Sequence, residues 1–435
     1  MKIKSLVLGI LITNILLMST IAYAGEASTK NSTNTNVISN SDVKKIEFAY
    51  GSEVNLSSVK NLNNIDELGF YGNHIEDVKI LIKLKNLKKL HFGRYNSFGN
   101  YKYGIFPKGI LTGLPNLRDL YIADDKEMED SNEFRALKNL EELTLYNVKL
   151  KDFSSVFSLK KLKKLEIHTP GGVTVNKNLK EIKNLKNLEE LILYDGSLKQ
   201  KNIPKGIFNE LTKLRKLEIG EIKAERFSDL GELKNLESLT LSDVELKDYS
   251  DVFNLKKLKK LEIDSSNNVT LAKSLNEIKN LKNLEELDLD VSGLKSADIK
   301  SLEQLKKLKK LHLDRSSDYS NNDLILSKGI LKELTNLREL ELSLVELENP
   351  IDLAYLKNLE SLNMQGLKDF SAICSLKNLK KLEIHNVGYE GPIMNLKGLK
   401  NLKDLEELNL YDYGLTENDI KFLKSMPNII YGNIL

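Results

Sequence analysis

Along most of the chain, apolar residues follow one spacing, L-x-x-L-x-x-L-x-[L/I/F], as in Leu84-Leu87-Leu90-Phe92, Leu114-Leu117-Leu120-Ile122, Leu137-Leu140-Leu143-Leu145 and Leu159-Leu162-Leu165-Ile167. The last two apolar positions alternate with polar ones. A period of two predicts a short strand with one face buried and the other in water. With the third Leu as marker the motif occurs 15 times, from Leu68 to Leu408, at spacings between 20 and 30 residues. A unit this short cannot bury its own apolar face, so it must stack on its neighbours, and a solenoid is predicted. Each strand is followed by a connection on the same side, which makes successive strands parallel.

In ten of the units an Asn precedes the second apolar residue (Asn64, Asn86, Asn116, Asn139, Asn187, Asn235, Asn283, Asn336, Asn358, Asn378). Asn tolerates left-handed backbone and bonds nearby backbone, which suits the corner entering a strand. A longer repeat is superimposed. LKNLEELTLYNVKLKDFSSVFSLKKLKKLEI, from Leu137, returns 96 positions later as LKNLESLTLSDVELKDYSDVFNLKKLKKLEI, from Leu233. FPKGILTGLPNLRDL at Phe106 likewise matches segments at Ile203 and Leu326. Blocks of several units were duplicated, and positions that differ between copies are where specialisation can reside.

These repeats resemble the leucine-rich repeat family, and the 22-residue units resemble its short-repeat, internalin-like subclass. The resemblance covers about residues 43 to 430. It implies an α/β fold: a right-handed horseshoe or arc with a parallel sheet on the concave face and short helical or irregular convex segments. It also implies an interaction scaffold. One departure stands out. The family places an Asn five residues after the third Leu, and here only Asn73 keeps it; Val148, Val244, Ser292 and Leu367 are among its replacements. The expected Asn ladder is mostly missing, which leaves the curvature open.

Residues 1–24 have the make-up of a secretory signal peptide: Lys2 and Lys4, an apolar stretch, then Ala22-Tyr23-Ala24. Residues 25–42 are small and polar, a leader with almost nothing to bury. Residues 43–61 are expected to form an N-terminal cap or irregular repeat, 62–421 the array and 422–435 a C-terminal cap, since open ends would expose core and unpaired edge. The chain is thus expected to be secreted, without a membrane span after cleavage. The only cysteine, Cys374, aligns with a core Phe157 and is expected to be a buried filler; no disulfide can form within the chain. Lys+Arg number 65 and Asp+Glu 62, a formal net charge of +3. That surplus is too small to predict a nucleic-acid partner.

Three columns of residues per unit face out from the strands. The first column (Glu67, Lys89, Asp119, Glu142, Lys164, Glu190, Lys216 and onward) nearly alternates in sign. With strands ~4.8 Å apart, a lateral ladder of ion pairs is predicted. The other columns carry the candidate partner-binding residues. Tyr71, Tyr121, Tyr146 and Tyr194 concentrate toward the N-terminal units, with Tyr411 far from them, and Tyr is a common interface anchor. Glu262, Asp264, Asp288, Asp290 and Asp314 come from three successive units and form an acidic patch suited to a basic partner. His91, His168, His312 and His385 share the face but are too dispersed for one zinc site, and solvent-facing imidazoles are expected. No nucleophile–base pair, phosphate-binding glycine loop or metal-ligand spacing is present. The expectation is a protein-binding recognition or adhesion scaffold rather than an enzyme, without cofactor or metal; binding of a surface glycan or wall polymer, with Tyr rings as stacking platforms, is the alternative.

Overall fold

In a computed structural model of the chain, the structure describes residues 44–50, 52–59, 61–93, 108–123, 128, 131–169, 175–195, 204–221, 223–226, 229–264, 269–315, 324–386, 394–411, 415–426 and 430–431. The signal sequence and leader expected over residues 1–42 lie outside them.

The architecture follows from the leucines. Among the described residues seventeen strands form one sheet, each paired in parallel with the strand of the next unit, from Lys45–Glu47 through Glu67–Tyr71 and Lys89–Gly93 to Glu407–Tyr411 and Ile430–Tyr431. The marker leucines lie in register: Leu143 beside Leu165, Leu165 beside Leu191, Leu217 beside Leu239, Leu261 beside Leu287. They are buried, as are the second apolar residues, Ile122, Leu145, Ile167, Ile219 and Leu241 among them. This is the solenoid that the spacing predicts. Opposite the sheet the chain runs through short 3-10 turns such as Val156–Ser158, Leu179–Asn184 and Phe370–Ser375, which bury Phe157, Ile182 and Phe370. α-Helix among the described residues is confined to Val269–Ser274 and Glu417–Lys424, the latter started by a capping box between Thr416 and Asp419.

The Asn residues before the strands act differently from the expectation. Those from Asn86 to Asn378 bond the preceding unit rather than their own backbone: Asn139 Nδ2 donates to Pro115 O at 3.0 Å, Asn187 to Lys160 O at 2.9 Å, Asn235 to Thr212 O at 2.9 Å and Asn283 to Lys256 O at 2.9 Å. Where a unit has Lys instead, the ammonium donates back to the Asn oxygen: Lys161 to Asn139, Lys213 to Asn187, Lys257 to Asn235 and Lys307 to Asn283, all at 2.7–2.8 Å. An Asn ladder therefore exists, moved to the strand entrance and alternating with Lys.

At the strand exit Asn73 does what the family position implies. Its side chain accepts from Tyr71 N at 2.6 Å and donates to Ala49 O at 2.7 Å. At that corner Gly72, directly after the strand, has positive φ, and the same position is at positive φ in several other units: Asn147, Glu221, Asp243, Leu344 and Gly366. Its N–H commonly continues the ladder, as from Asn147 to His168 O at 2.6 Å and from Asp243 to Asp264 O at 2.6 Å. The Lys-Gly-Ile copies share another device. Gly109, Gly206 and Gly329 have φ of 91°, 82° and 93°, and each presents its N–H to a carboxylate one unit on: Glu133, Asp229 and Asp352.

The predicted first-column ladder forms only in part. Lys310–Glu339 and Lys381–Glu407 pair across strands at 2.9 Å, whereas Lys216–Glu218 at 2.8 Å and Lys260–Glu262 at 3.3 Å pair within one strand. The regular lateral ladder lies one residue upstream, in the triads Arg118–Glu141–Lys163, Arg215–Glu237–Lys259 and Arg338–Glu360–Lys380. Being exposed, each such pair is screened by solvent and adds little to stability.

Two stability changes follow. Asn235→Ala removes one inter-unit hydrogen bond and the acceptor for Lys257, and is expected to lower stability by about 1 kcal/mol, read as an earlier denaturant midpoint. Leu344 is 46% exposed and held at φ 56°. Leu344→Asn, the residue used at the same corner by Asn147, is expected to raise stability by about 0.5–1 kcal/mol; a lower midpoint would mean that the leucine side chain stabilises the corner.

Candidate functional site

The five-residue strands of the sheet mostly turn their first, third and fifth side chains to water, with Gly69, Ala123, Gly220, Thr240 and Asp290 buried at such positions. The third and fifth columns hold all nine candidate residues, but in groups the sequence did not delimit. Tyr121 on Asp119–Ala123 stands beside His91, ring centroids 5.7 Å apart, and Tyr71 Oη lies 3.4 Å from His91 Nδ1. Three strands in succession then carry Tyr146, His168 and Tyr194 in the fifth column. The centroids are 5.2 Å apart from Tyr146 to His168 and 5.0 Å from His168 to Tyr194, the latter pair parallel within 5°. Tyr411 repeats the arrangement with His385, at 4.3 Å.

His91, His168 and His385 are thus members of the aromatic rows rather than simply solvent-facing, whereas His312 stands between the carboxylates of Asp288 and Glu341. Each also touches a carboxylate: His91–Asp119 at 3.7 Å, His168–Glu166 at 2.9 Å, His312–Asp288 at 3.0 Å and His385–Glu383 at 2.8 Å. Alignment of His168 between Tyr146 and Tyr194 in the same column was the sequence signal for this.

Tyr194 is seated rather than loosely placed. Its ring passes over Gly220 of the next strand, where a Cβ would come within 2.2 Å of a ring carbon, and its hydroxyl lies 3.4 Å from Ser242 Oγ one strand farther. Gly69 leaves room for Tyr71 in the same way, since a Cβ there would lie 3.0 Å from that ring. Burial raises the Tyr194 hydroxyl to a pKa of about 12, reinforced by Glu218, Glu262 and Asp264 against the lowering effect of the Ser242 contact. Tyr71 is raised to about 12 by burial and by Glu47.

The acidic patch continues the same columns: Asp264 is in register after Ser242, and Asp290 is beside Asp314. Its members are not equivalent. Glu262 pairs with Lys260, and Asp288 with His312. Asp290, expected at the surface, is buried, only 4% exposed, with its carboxylate accepting Ser292 N–H at 2.7 Å, so it is a turn-forming group and not a contact for a partner. Burial raises the Asp264 pKa to about 6, with Asp290, Asp288, Glu262 and Asp243 adding to it. Burial also raises Asp314. Burial alone would lower His312, but the hydrogen-bonded Asp288, with Glu341 and Asp314, holds it above its ordinary value.

The duplicated blocks diverge at these positions. Tyr146, His168 and Tyr194 of the first copy become Ser242, Asp264 and Asp290 in the second, while Thr144 and Glu166 between them stay Thr240 and Glu262. The fifth column changed from three aromatic rings to Ser, Asp and Asp, and the third column kept its Thr and Glu but exchanged Ile192 for Asp288.

Among the described residues, no group of three or more His, Cys, Asp or Glu side chains is arranged to hold a metal ion, and no helix is long and apolar enough to cross a membrane. Cys374 is half-buried rather than fully buried. Its thiol donates to Phe370 O at 3.0 Å and packs against Gly398, where a Cβ would lie 2.2 Å from the sulfur. Burial raises its pKa, which disfavours the reactive thiolate.

Asp264→Asn tests the electrostatics. A carboxyl whose folded pKa exceeds its unfolded value costs stability above both and nothing below both. The substitution is therefore expected to stabilise the protein at pH 7.5 by about 1 kcal/mol, after allowance for solvent screening. The gain should shrink as the pH falls through 6 and vanish below about pH 3; equal melting-temperature differences at the two pH values would refute the assignment.

Comparison with known proteins agrees with this geometry. A model of the leucine-rich repeat region matches residues 108–324. No significant match is found among curated proteins. Among solved structures, an internalin (inlF) from Listeria monocytogenes is 22% identical, with a TM-score of 0.55 over 80% of this chain and 88% of that one. A leucine-rich repeat protein from Leptospira interrogans is 22% identical, with a TM-score of 0.59 over 90% and 96%. TLR13, solved in complex with a single-stranded RNA, is 18% identical, with a TM-score of 0.50 over 88% and 65%. At this identity the structures establish a shared fold, and the matched model together with the in-register leucine stack on both sides of it places the chain in the leucine-rich repeat family.

Proposed function

We propose that this protein is an exported recognition scaffold that binds a protein partner on the solvent face of its sheet, through the aromatic rows of the N-terminal units. The observation that carries the reading is the seating of Tyr194 across Gly220. A tyrosine that merely fills surface needs no glycine cut out beneath it. A ring held in one posture loses little entropy on binding, which is what makes an interface anchor effective. Tyr121, Tyr146 and Tyr194 with their histidines give a row of such anchors across neighbouring strands. Export is supported by the charged, apolar and small-residue succession of residues 1–24. RNA, the ligand of TLR13 in its complex, is disfavoured here because carboxylates on this face repel phosphate.

The test compares wild type with the triple variant Tyr121→Ala/Tyr146→Ala/Tyr194→Ala. Purified chains are immobilised and exposed to cell-surface protein extracts and, separately, to a glycan panel. Capture of a discrete protein by wild type, weakened at least about tenfold in the triple variant, supports the proposal. Undiminished capture by the triple variant removes the aromatic rows from the interface, and binding confined to the glycan panel shifts the function to carbohydrate recognition.

A further inference from the structure

We infer that the junction between the aromatic and acidic halves of the sheet face, where Tyr194 reaches Ser242 beside Asp264, takes arginine side chains from the protein partner. The inference rests on the sheet-face reading above and adds the partner's chemistry to it.

Three observations converge. The first is the ring itself: Tyr194 lies across Gly220, so its π surface is fixed at the junction rather than swept away by a neighbouring side chain. The second is the charge beside it. Glu218 and Glu262 flank the ring, Asp264 follows Ser242 in the column, and Asp314 lies two strands beyond Asp264, about 10 Å away at the strand spacing. Over much of this protein charges of opposite sign are placed together, in the Arg–Glu–Lys triads and the Lys–Glu pairs, with Asp119 beside Glu142 an exception of two residues. Here alone among the described strands do Asp264, Asp290 and Asp314 follow one another in one column, an arrangement that costs stability within the isolated chain. The third is the duplication, in which His168, Ile192 and Tyr194 of the first copy correspond to the carboxylates Asp264, Asp288 and Asp290 of the second while Thr240 and Glu262 stayed as they were in the first.

A planar cation satisfies all three. Guanidinium stacks on an aromatic face and bonds carboxylates through a rigid fork of donors, whereas ammonium is a point charge that gains less from the ring. The whole chain carries a formal net charge of +3, so attraction of a cationic ligand cannot come from overall charge and must be local.

The experiment measures equilibrium binding of fluorescein-labelled nona-arginine, nona-lysine and nona-glutamate to the full chain near physiological ionic strength. The wild type is compared with Asp264→Asn/Asp314→Asn and with Gly220→Val, which displaces Tyr194 and leaves the carboxylates in place. The expected order is arginine tighter than lysine, with no binding of glutamate. The double Asn variant should weaken nona-arginine by about tenfold or more. Gly220→Val should weaken it several-fold and erase the preference over lysine. The two Asn substitutions relieve repulsion, so a binding loss accompanied by an unchanged or higher melting temperature cannot be unfolding. Nona-arginine binding that is absent, or equal in all three proteins, overturns the inference. If the Tyr-dependent capture of a protein partner persists in that case, the sheet-face reading survives and only the cationic chemistry falls.

Discussion

Everything in this protein is subject to one constraint, the in-register parallel stacking of near-identical units. Each side chain meets its counterpart from the next unit at the strand spacing of about 4.8 Å. For leucine this is ideal, since Leu on Leu builds a continuous core that no unit has alone. For charge it is a hazard, because a well-made unit copied unchanged would set carboxylate on carboxylate along the whole sheet. The chain meets that hazard by alternating two kinds of unit. Leu137-Lys-Asn-Leu-Glu-Glu-Leu is followed by Leu159-Lys-Lys-Leu-Lys-Lys-Leu, and the alternation recurs. Its products are Glu141 held between Arg118 and Lys163, Glu237 between Arg215 and Lys259, and the Asn–Lys hydrogen bonds at the strand entrance.

Against such regularity, departures carry information. The aromatic row breaks no electrostatic rule but needs steric accommodation, and Gly220 and Gly69 provide it at the cost of the side-chain packing that a strand interior normally gains. The Asp264, Asp290 and Asp314 column breaks the rule outright, with part of the repulsion absorbed by the turn around Asp290 and part by raised carboxyl pKa values. A protein that neutralises charge elsewhere and concentrates it here is giving up stability at one place, as binding surfaces commonly do.

What was legible in the sequence was whatever depends on one unit or on simple register. The period of two assigned Tyr146, His168 and Asp264 to the outward face, and the leucine spacing gave the parallel stack. What was not legible depends on contacts between residues about one unit apart whose direction no local pattern encodes. The bond from Asn235 to Thr212 instead of to its own turn is one case. The burial of Asp290 is another, decided by the Ser292 corner that follows the strand. Gly220 looked like an ordinary strand residue because its reason, Tyr194, lies 26 positions earlier. Cys374 aligned with a core phenylalanine, yet it packs against Gly398, and the smaller side chain does not close the site.

The duplication ties these strands of argument together. Two blocks with the same leucines, the same strand register and the same Thr and Glu in the first two strands of the middle column fold alike in their strands, so most surface differences between them are not required by the fold. Divergence of Tyr146 and His168 to Ser242 and Asp264 therefore altered a surface without altering its support, whereas Asp290 in place of Tyr194 also reshaped the turn that follows the strand. Tyr194 spans the seam, since it belongs to the aromatic copy while its hydroxyl contacts the first residue of the divergent column. A face assembled in this way has distinct chemistries at a fixed spacing on one rigid sheet, and a ligand that engages both must present them at that same spacing. The selectivity of the face then comes from the register of the repeat, the same property that holds the molecule together.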